Sequence, residues 1–524
     1  MSEFSSTATT NAPSWNDFFE QQLARQLRQK RRLVRNTAPA KWQQHLGSLL
    51  TLLNQARNTP ALWPLALDFI ETLDPWPRRQ GHTDAWESQL RHWLQIAQQQ
   101  HQDAHVAELL ARLTDLYTST GKWEQVCHTA VQALPLAQRH QNLLVYGRVS
   151  ALLANAQAKL GEIVISRQTV QNARTELQKM ATTHPPRECI LANSYLDIRQ
   201  ANDLRISGQL SEALALISNS LQNVLALTPP ADIGLIGNIY EARGVFYWAN
   251  NQFPEALQDL QQARTCYEAV GHTMGISSLI ANLGLVYIRT ARFDEAEEIT
   301  RSALKQARQH RSLSNQLRHL ADLGSVYWLR GQFAQARPYF EQQLKLAEET
   351  QETLQIFLAR NNLACLDLYA GHPERALAGL QKAVDDFRSK NWVEALIGAL
   401  MDLSMCNYAL GRVTQAQQLA DEAQQLANQN QSRALQMLTL RVAAHVGLLE
   451  SPFEGLERAY QMAVQLRRPF DQAACLLQQV RHAPTPARRA ACWQSGVQLL
   501  NEFGAQAWLE GHSIENPPML AVFI

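Results

Sequence analysis

The same few residue types return every 40 positions along the second half of the chain. Gly244, Gly284 and Gly324 are followed at that step by Ala364, Ser404 and Ala444, and Tyr247, Tyr287 and Tyr327 keep the period three residues on. A turn position follows at Asn251, Ala291, Gly331, Gly371, Gly411 and Ser451. Two residues later stand Phe253, Phe293, Phe333, Pro373, Val413 and Phe453, and then Ala256, Ala296, Ala336, Ala376, Ala416 and Leu456. A unit this short cannot bury an apolar face alone. It must stack on its neighbours, so the core grows in one dimension.

The residue types match two antiparallel helices joined by a tight turn. Helices packed ~8–10 Å apart need small side chains where their backbones come closest. Gly284 and Ala296 fit those places on the first and second helix, with Tyr287 and Phe293 filling the wedge beside them. Gly331, Gly371 and Gly411 fit the left-handed residue that ends a first helix, and Asp294 can cap a second.

At these residues the chain resembles the tetratricopeptide repeat family. ANLGLVYIRTARFDEAEEITRSAL (281–304) and LADLGSVYWLRGQFAQARPYFEQQL (320–344) carry its pattern of a small residue, Tyr three later, a turn with Phe, then Ala. The resemblance covers 235–428 and stays in register to 466. GKW at 121–123, GEI at 161–163 and GQLSEAL at 208–214 are similar to eroded units, separated by Thr183–Pro186 and Thr228–Pro230. The repeat exceeds the family's usual ~34 residues, and in this it resembles kinesin light chain, peptide-sensing bacterial regulators and the sensor arrays of bacterial signal-transducing ATPases. The resemblance implies an all-α, right-handed superhelical solenoid of stacked helix-turn-helix repeats.

The expected organisation follows. Residues 1–14 form a disordered N-terminus and 15–100 a Trp-rich helical module or cap. Its helices are expected at about 15–35, 40–57, 61–73 and 83–100, with a loop at Asp74–Arg79. Degenerate repeats occupy 101–234, regular repeats 235–466, capping helices 467–513, and a loose tail 514–524.

Composition excludes several functions. Hydrophobic residues at 46% and charged residues at 18% suit a packed core. A net charge of +1 gives no overall field for nucleic acid or anionic lipid. The seven cysteines form no CxxC pair, as expected of reduced cytoplasmic thiols and not of a zinc site. No apolar run reaches the ~18 residues of a membrane span. P-loop, HExxH and GxSxG motifs are absent, and no nucleophile–base spacing stands out in residues 1–100. No catalytic residue, metal site or cofactor is expected. His101 and His105, four apart and near His92, can share a helix face, but nothing beside them completes a metal set. The one concentrated basic run is Arg25, Arg28, Lys30, Arg31, Arg32 and Arg35, on an amphipathic helix with Phe18, Phe19, Leu23 and Leu27. Acid at its start and base at its end also match the helix dipole.

A polar column is the clearest candidate site. Asn282, Asp322, Asn362 and Asp402 stand 40 apart, two residues before the small position. The resemblance places that helix on the concave face, where an Asn at this position bonds the backbone of an extended peptide; Asn361-Asn362-Leu363-Ala364 matches that pattern. A carboxamide both donates and accepts, so a ladder of them reads main chain without demanding a sequence. Asp322 and Asp402 break the ladder and point to a cationic contact, or to a plain i,i+4 pair of Arg318 with Asp322. The same geometry assigns Asn238, Glu241, Arg289, Arg318, Trp328 and Tyr408 to the groove. The expected function is a non-catalytic scaffold or regulatory sensor that binds a peptide or protein there. The alternative is a nucleic-acid-linked regulator that uses the basic helix, 24–35, with the array as ligand sensor.

Overall fold

Helices of one length, joined by one kind of turn, make up most of the chain. The computed structural model describes residues 15–36, 45–74, 76–181, 186–228, 231–309, 312–430 and 432–522, and among them the extended regular elements are all helices. The expectation for residues 1–14 lies outside the described residues. Ile233–Ala249, Phe253–Ala269, Thr273–Arg289, Phe293–Gln309 and Leu313–Leu329 are 17 residues each, about 25 Å at 1.5 Å per residue. Phe333–Thr350, Thr353–Tyr369, Pro373–Ser389, Val393–Ala409 and Val413–Asn430 continue the series.

The turns explain this regularity. The turn positions Asn251, Ala291, Gly331, Gly371 and Gly411 have φ of 57°, 55°, 80°, 84° and 74°. Halfway between them Gly271, Gln351 and Asn391 do the same, at 62°, 57° and 55°. One left-handed residue reverses the chain, and the next N–H bonds back five residues, as in Gln252 N to Tyr247 O, Arg292 N to Tyr287 O and Gln332 N to Tyr327 O at 2.8, 2.8 and 2.9 Å. The 40-residue period is thus two half-steps of one helix and one joint. At the expected turn Ser451 the register slips: Arg433–His445 is shorter, its left-handed residue is Gly447, and Pro452 opens the next helix.

The half-step also runs through the earlier chain. Gly81, His101, Gly121, Gln141 and Gly161 have φ of 83°, 54°, 72°, 54° and 88°. They separate Thr83–Gln99, Asp103–Thr120, Trp123–Arg139, Leu143–Lys159 and Ile163–Met180. His101 therefore lies in a joint, and it shares no helix face with His105. Asp74–Arg79, read as a loop, contains a short helix at Trp76–Arg79. Pro77 is tolerated because a first turn needs no N–H from it, and Trp76 is buried. Asp294 sits inside Phe293–Gln309 and pairs with Arg330 instead of capping.

The chain divides into two compact units. The first comprises residues up to Ser207, Ser211–Ala242 and Gln262–Ile276; the second comprises Gly208–Leu210, Arg243–Gln261 and Ser277 onward. In the first, helix Trp15–Asn36 buries Leu23 and Leu27 while Phe18 and Phe19 stay exposed. Its Arg31 bonds Asp68 at 2.8 Å and Thr72 at 3.2 Å, while Arg25, Arg28, Arg32 and Arg35 face solvent. In the second, helical hairpins stack from Phe293 onward. The first helices Leu313–Leu329, Thr353–Tyr369, Val393–Ala409, Arg433–His445 and Pro469–Gln479 touch one another in sequence and form one face.

Close approach is enforced at the small residues. Ala296, Ala336, Ala376 and Ala416 are fully buried. A Cβ added at Gly284 would lie 3.0 Å from Thr300 Oγ1, and one at Gly324 would lie 2.5 Å from the Phe340 ring. Gly324→Ala is therefore expected to lower stability by about 1–3 kcal/mol through overpacking. A urea unfolding midpoint equal to that of the parent chain would contradict this packing.

Candidate functional site

Within the second unit the polar column divides into an open half and a buried half. Arg318 reaches back along the stack and donates to Asn282 Oδ1 at 3.1 Å and Ser278 Oγ at 3.4 Å. It makes no ion pair with Asp322, the pairing that i,i+4 spacing allowed. Asp322 is instead buried, and its Oδ2 has no hydrogen-bond partner. Burial pushes its carboxyl up to about 7, against a smaller opposing pull from Arg318.

One turn pair further on, Asn361 donates to Cys365 Sγ at 3.6 Å, and its Oδ1 is buried with no partner. Asn362 is half-buried beside it. Asp402 is buried and accepts from the Cys365 thiol at 3.2 Å and the Tyr369 hydroxyl at 3.1 Å. Burial holds its carboxyl near about 7, and its proximity helps push Cys365 and Tyr369 well above their usual values. Asp402 thus meets neutral donors where the sequence pointed to a cation.

The remaining expected residues are dispersed. Trp328 is buried against Phe340 and Tyr369, with ring centroids 6.4 and 6.0 Å away. Tyr408 meets His445 edge-on at 4.9 Å. Burial lowers Arg289 to about 9, with Arg468 adding to the effect and Asp471 opposing it. Asn238 and Glu241 belong to the first unit, where the Tyr267 hydroxyl lies 2.8 Å from Asn238 Oδ1 and 2.6 Å from Glu241 Oε2.

The first-helix face already holds a piece of chain. Pro517, Pro518, Leu520, Ala521 and Val522 are buried and lie outside any helix; the tail expected to be loose is seated instead. Its main chain is held by side chains. Arg441 donates to Leu520 O at 3.2 Å, Arg481 donates to Pro517 O at 3.0 Å, and Val522 N donates to Tyr369 Oη at 3.1 Å. Arg441 is fully buried and oriented by Asp471 at 2.7 Å. Just upstream, Trp508 donates to Leu329 O at 2.9 Å, with its ring against Phe333 and Tyr369.

Sequence reasoning missed Tyr369 and Arg441, yet both lie on its register. Tyr369 is 80 residues after Arg289, and Arg441 is 80 after Asn361. An open cleft of about 620 Å³ between Pro373–Ser389 and Val413–Asn430 contains none of the expected site residues. No cluster of three metal-ligating side chains occurs among the described residues, and no described helix is long and apolar enough to cross a membrane.

A family model described as tetratricopeptide repeat matches residues 235–309 and 315–389. Those two stretches are tetratricopeptide repeats. Among solved structures, a Rap protein complexed with competence and sporulation factor is similar to this tetratricopeptide array over 69% of this chain and 99% of its own, at 12% identity and a TM-score of 0.55. NprR in complex with its cognate peptide NprX is similar over 68% of this chain and 99% of its own, at 12% identity and a TM-score of 0.51. At such identity the likeness is one of fold. No curated protein sequence matches the chain.

Asp322 makes the stability of the tetratricopeptide array depend on pH. The folded carboxyl titrates at about 7 and the unfolded one at 3.8. Folding therefore takes up a proton between these values, so the stabilisation is complete below the lower one and is lost as pH rises through the upper. Asp322→Asn removes the ionisation. It is expected to be more stable than the parent at about pH 8, by roughly 2–4 kcal/mol, with little difference below about pH 4. Parallel pH–stability curves in urea melts would show that Asp322 ionises freely in the fold.

Proposed function

We propose that the chain is a non-catalytic cytoplasmic scaffold or regulatory sensor, and that it binds a peptide or protein partner along the first helices of its tetratricopeptide repeats. One observation carries this reading. Side chains from separate elements, Tyr369, Arg441 and Arg481, grip the main chain of a segment that has no secondary structure of its own. Main-chain recognition needs fixed donors and acceptors at repeating intervals, and a stacked array supplies them. The solved NprR complex, of similar fold, holds a cognate peptide.

In this reading the partner lies across Asn282, Arg318, Asn361 and Asn362, with Asp402 buried behind Tyr369. The Arg318 guanidinium and the carboxamides of Asn282 and Asn362 supply the donors. Arg289, Trp328, Asp322 and Tyr408, all of the second unit, shape the surface. Each hydrogen bond contributes a net ~0.5–1.5 kcal/mol, so affinity comes from several modest contacts.

The test selects a binder from a random peptide library on the full chain. Replacing Asn282, Arg318 and Asn362 together with Ala is expected to weaken the selected peptide by roughly a hundredfold, about 1 kcal/mol for each lost contact. Helicity and melting should stay those of the parent. Undiminished affinity in the triple variant would remove this surface as the binding site.

A further inference from the structure

We propose that Pro517–Val522 is a tethered ligand of the first-helix surface, which the partner's own peptide displaces on binding. The inference rests on the reading of that surface as peptide-binding, and it adds both a ligand chemistry and a form of regulation.

The seat and the tether are separate parts of the structure. Trp508 has anchors of its own, its indole N–H to Leu329 O and its ring against Phe333 and Phe470, and it touches the seat at the Tyr369 ring. Between Trp508 and the seated segment, Glu510–Ser513, Glu515 and Asn516 are exposed, and Gly511 turns the chain at φ 74°. Beyond that linker the chain is buried again. An anchored, exposed linker of this length presents the segment at an effective concentration on the order of millimolar.

The hold on the segment is local. Its main chain is bonded by Arg481, Arg441 and Tyr369, and Tyr369 passes the contact on to Asp402. Pro517 and Pro518 have no N–H to offer, so few main-chain bonds are made for the length of chain ordered. Burial of Leu520 and Val522 favours the seat, while the lost freedom of the segment opposes it. A partner that makes the same contacts without an equal ordering cost therefore competes.

The seat also specifies what competes. Asn516 to Val522 carries no charged side chain. Leu520 and Val522 enter the core that contains Leu366, Met401 and Leu438, and the smaller Ala521 lies between them. The displacing ligand is thus an extended, uncharged peptide with bulky aliphatic residues on either side of a small one. Its apparent affinity is reduced by the fraction of molecules in which the tether is seated.

The test uses the full chain and a fluorescein-labelled peptide of residues 516–522. In the double variant Leu520→Asp, Val522→Asp, the charged side chains cannot enter the apolar seat. This variant is expected to bind the peptide roughly tenfold more tightly than the parent, or better, by fluorescence anisotropy. Adding Tyr369→Phe, which removes the hydroxyl that accepts from Val522 N, is expected to weaken that binding severalfold. Equal affinity of parent and double variant, or absence of saturable binding to a double variant with parental helicity, would overturn the proposal. If the double variant does not fold, hydrogen exchange on the parent chain decides. Amides of 520–522 that exchange by local opening, well before those of Thr353–Tyr369, support displacement; exchange only on global unfolding refutes it. Library binding and the in-trans peptide are independent readouts. Loss of library binding with intact self-peptide binding would remove the proposed function and leave the tethered segment standing.

Discussion

Wherever the joint is described, a helix of the regular array ends in one residue in the left-handed region, and the N–H after it bonds back five residues. That joint limits helices to about 17 residues and sets the step at which everything else recurs. Side chains at equivalent places on successive first helices therefore line up, because only the step separates them. Where the left-handed residue is Asn251, Ala291, Gln351 or Asn391 and not glycine, the backbone carries a strain of order 1 kcal/mol, and burial of the flanking helices offsets it. The exception at Gly447 shows the same rule. A shift in the left-handed residue shortens one helix and moves the start of the next.

The first-helix face of the second unit combines two kinds of polar group. Arg318 with Asn282 is a partly solvated pair. Asp322 and Asp402 are removed from water and hold their protons to near neutral pH. A protonated carboxyl has little need of a counterion, which accounts for the lack of a cation beside Asp402. The chain Val522 N–H to Tyr369 to Asp402 then couples the seated segment to a buried titratable group. The Arg441–Asp471–Arg468 cluster performs a similar task on the other side of the segment, where fully buried charges are satisfied by one another and by a main-chain carbonyl.

The parts that were legible in the sequence were those carried by local chemistry. Gly331, Gly371 and Gly411 marked joints because glycine favours positive φ, and Ala296 and Gly324 marked crossings because nothing larger fits. His101, Gln141 and Gln351 make the same turn and were invisible, since their residue types do not report it. This is why the regular step through Thr83–Met180 appeared only as two isolated glycines. The first-helix column was found by counting in steps of 40. That column runs through Asp402 to Val442 and so passes one residue beyond Arg441, while Tyr369 stands two steps after Arg289.

The sequence by itself determined helix length, joint position and the stacking of hairpins, because each depends on residues close together along the chain. Only the tertiary structure decided what lies on the face so formed. Pro517–Val522 carries no periodicity, and its partners stand 79 and 153 residues away at Arg441 and Tyr369. A contact at that separation depends on how the intervening hairpins curve, which is the sum of many small packing angles. Burial of Asp322 and Asp402 was hidden for the same reason, since an aspartate on a polar-looking position ionises or keeps its proton according to what packs over it.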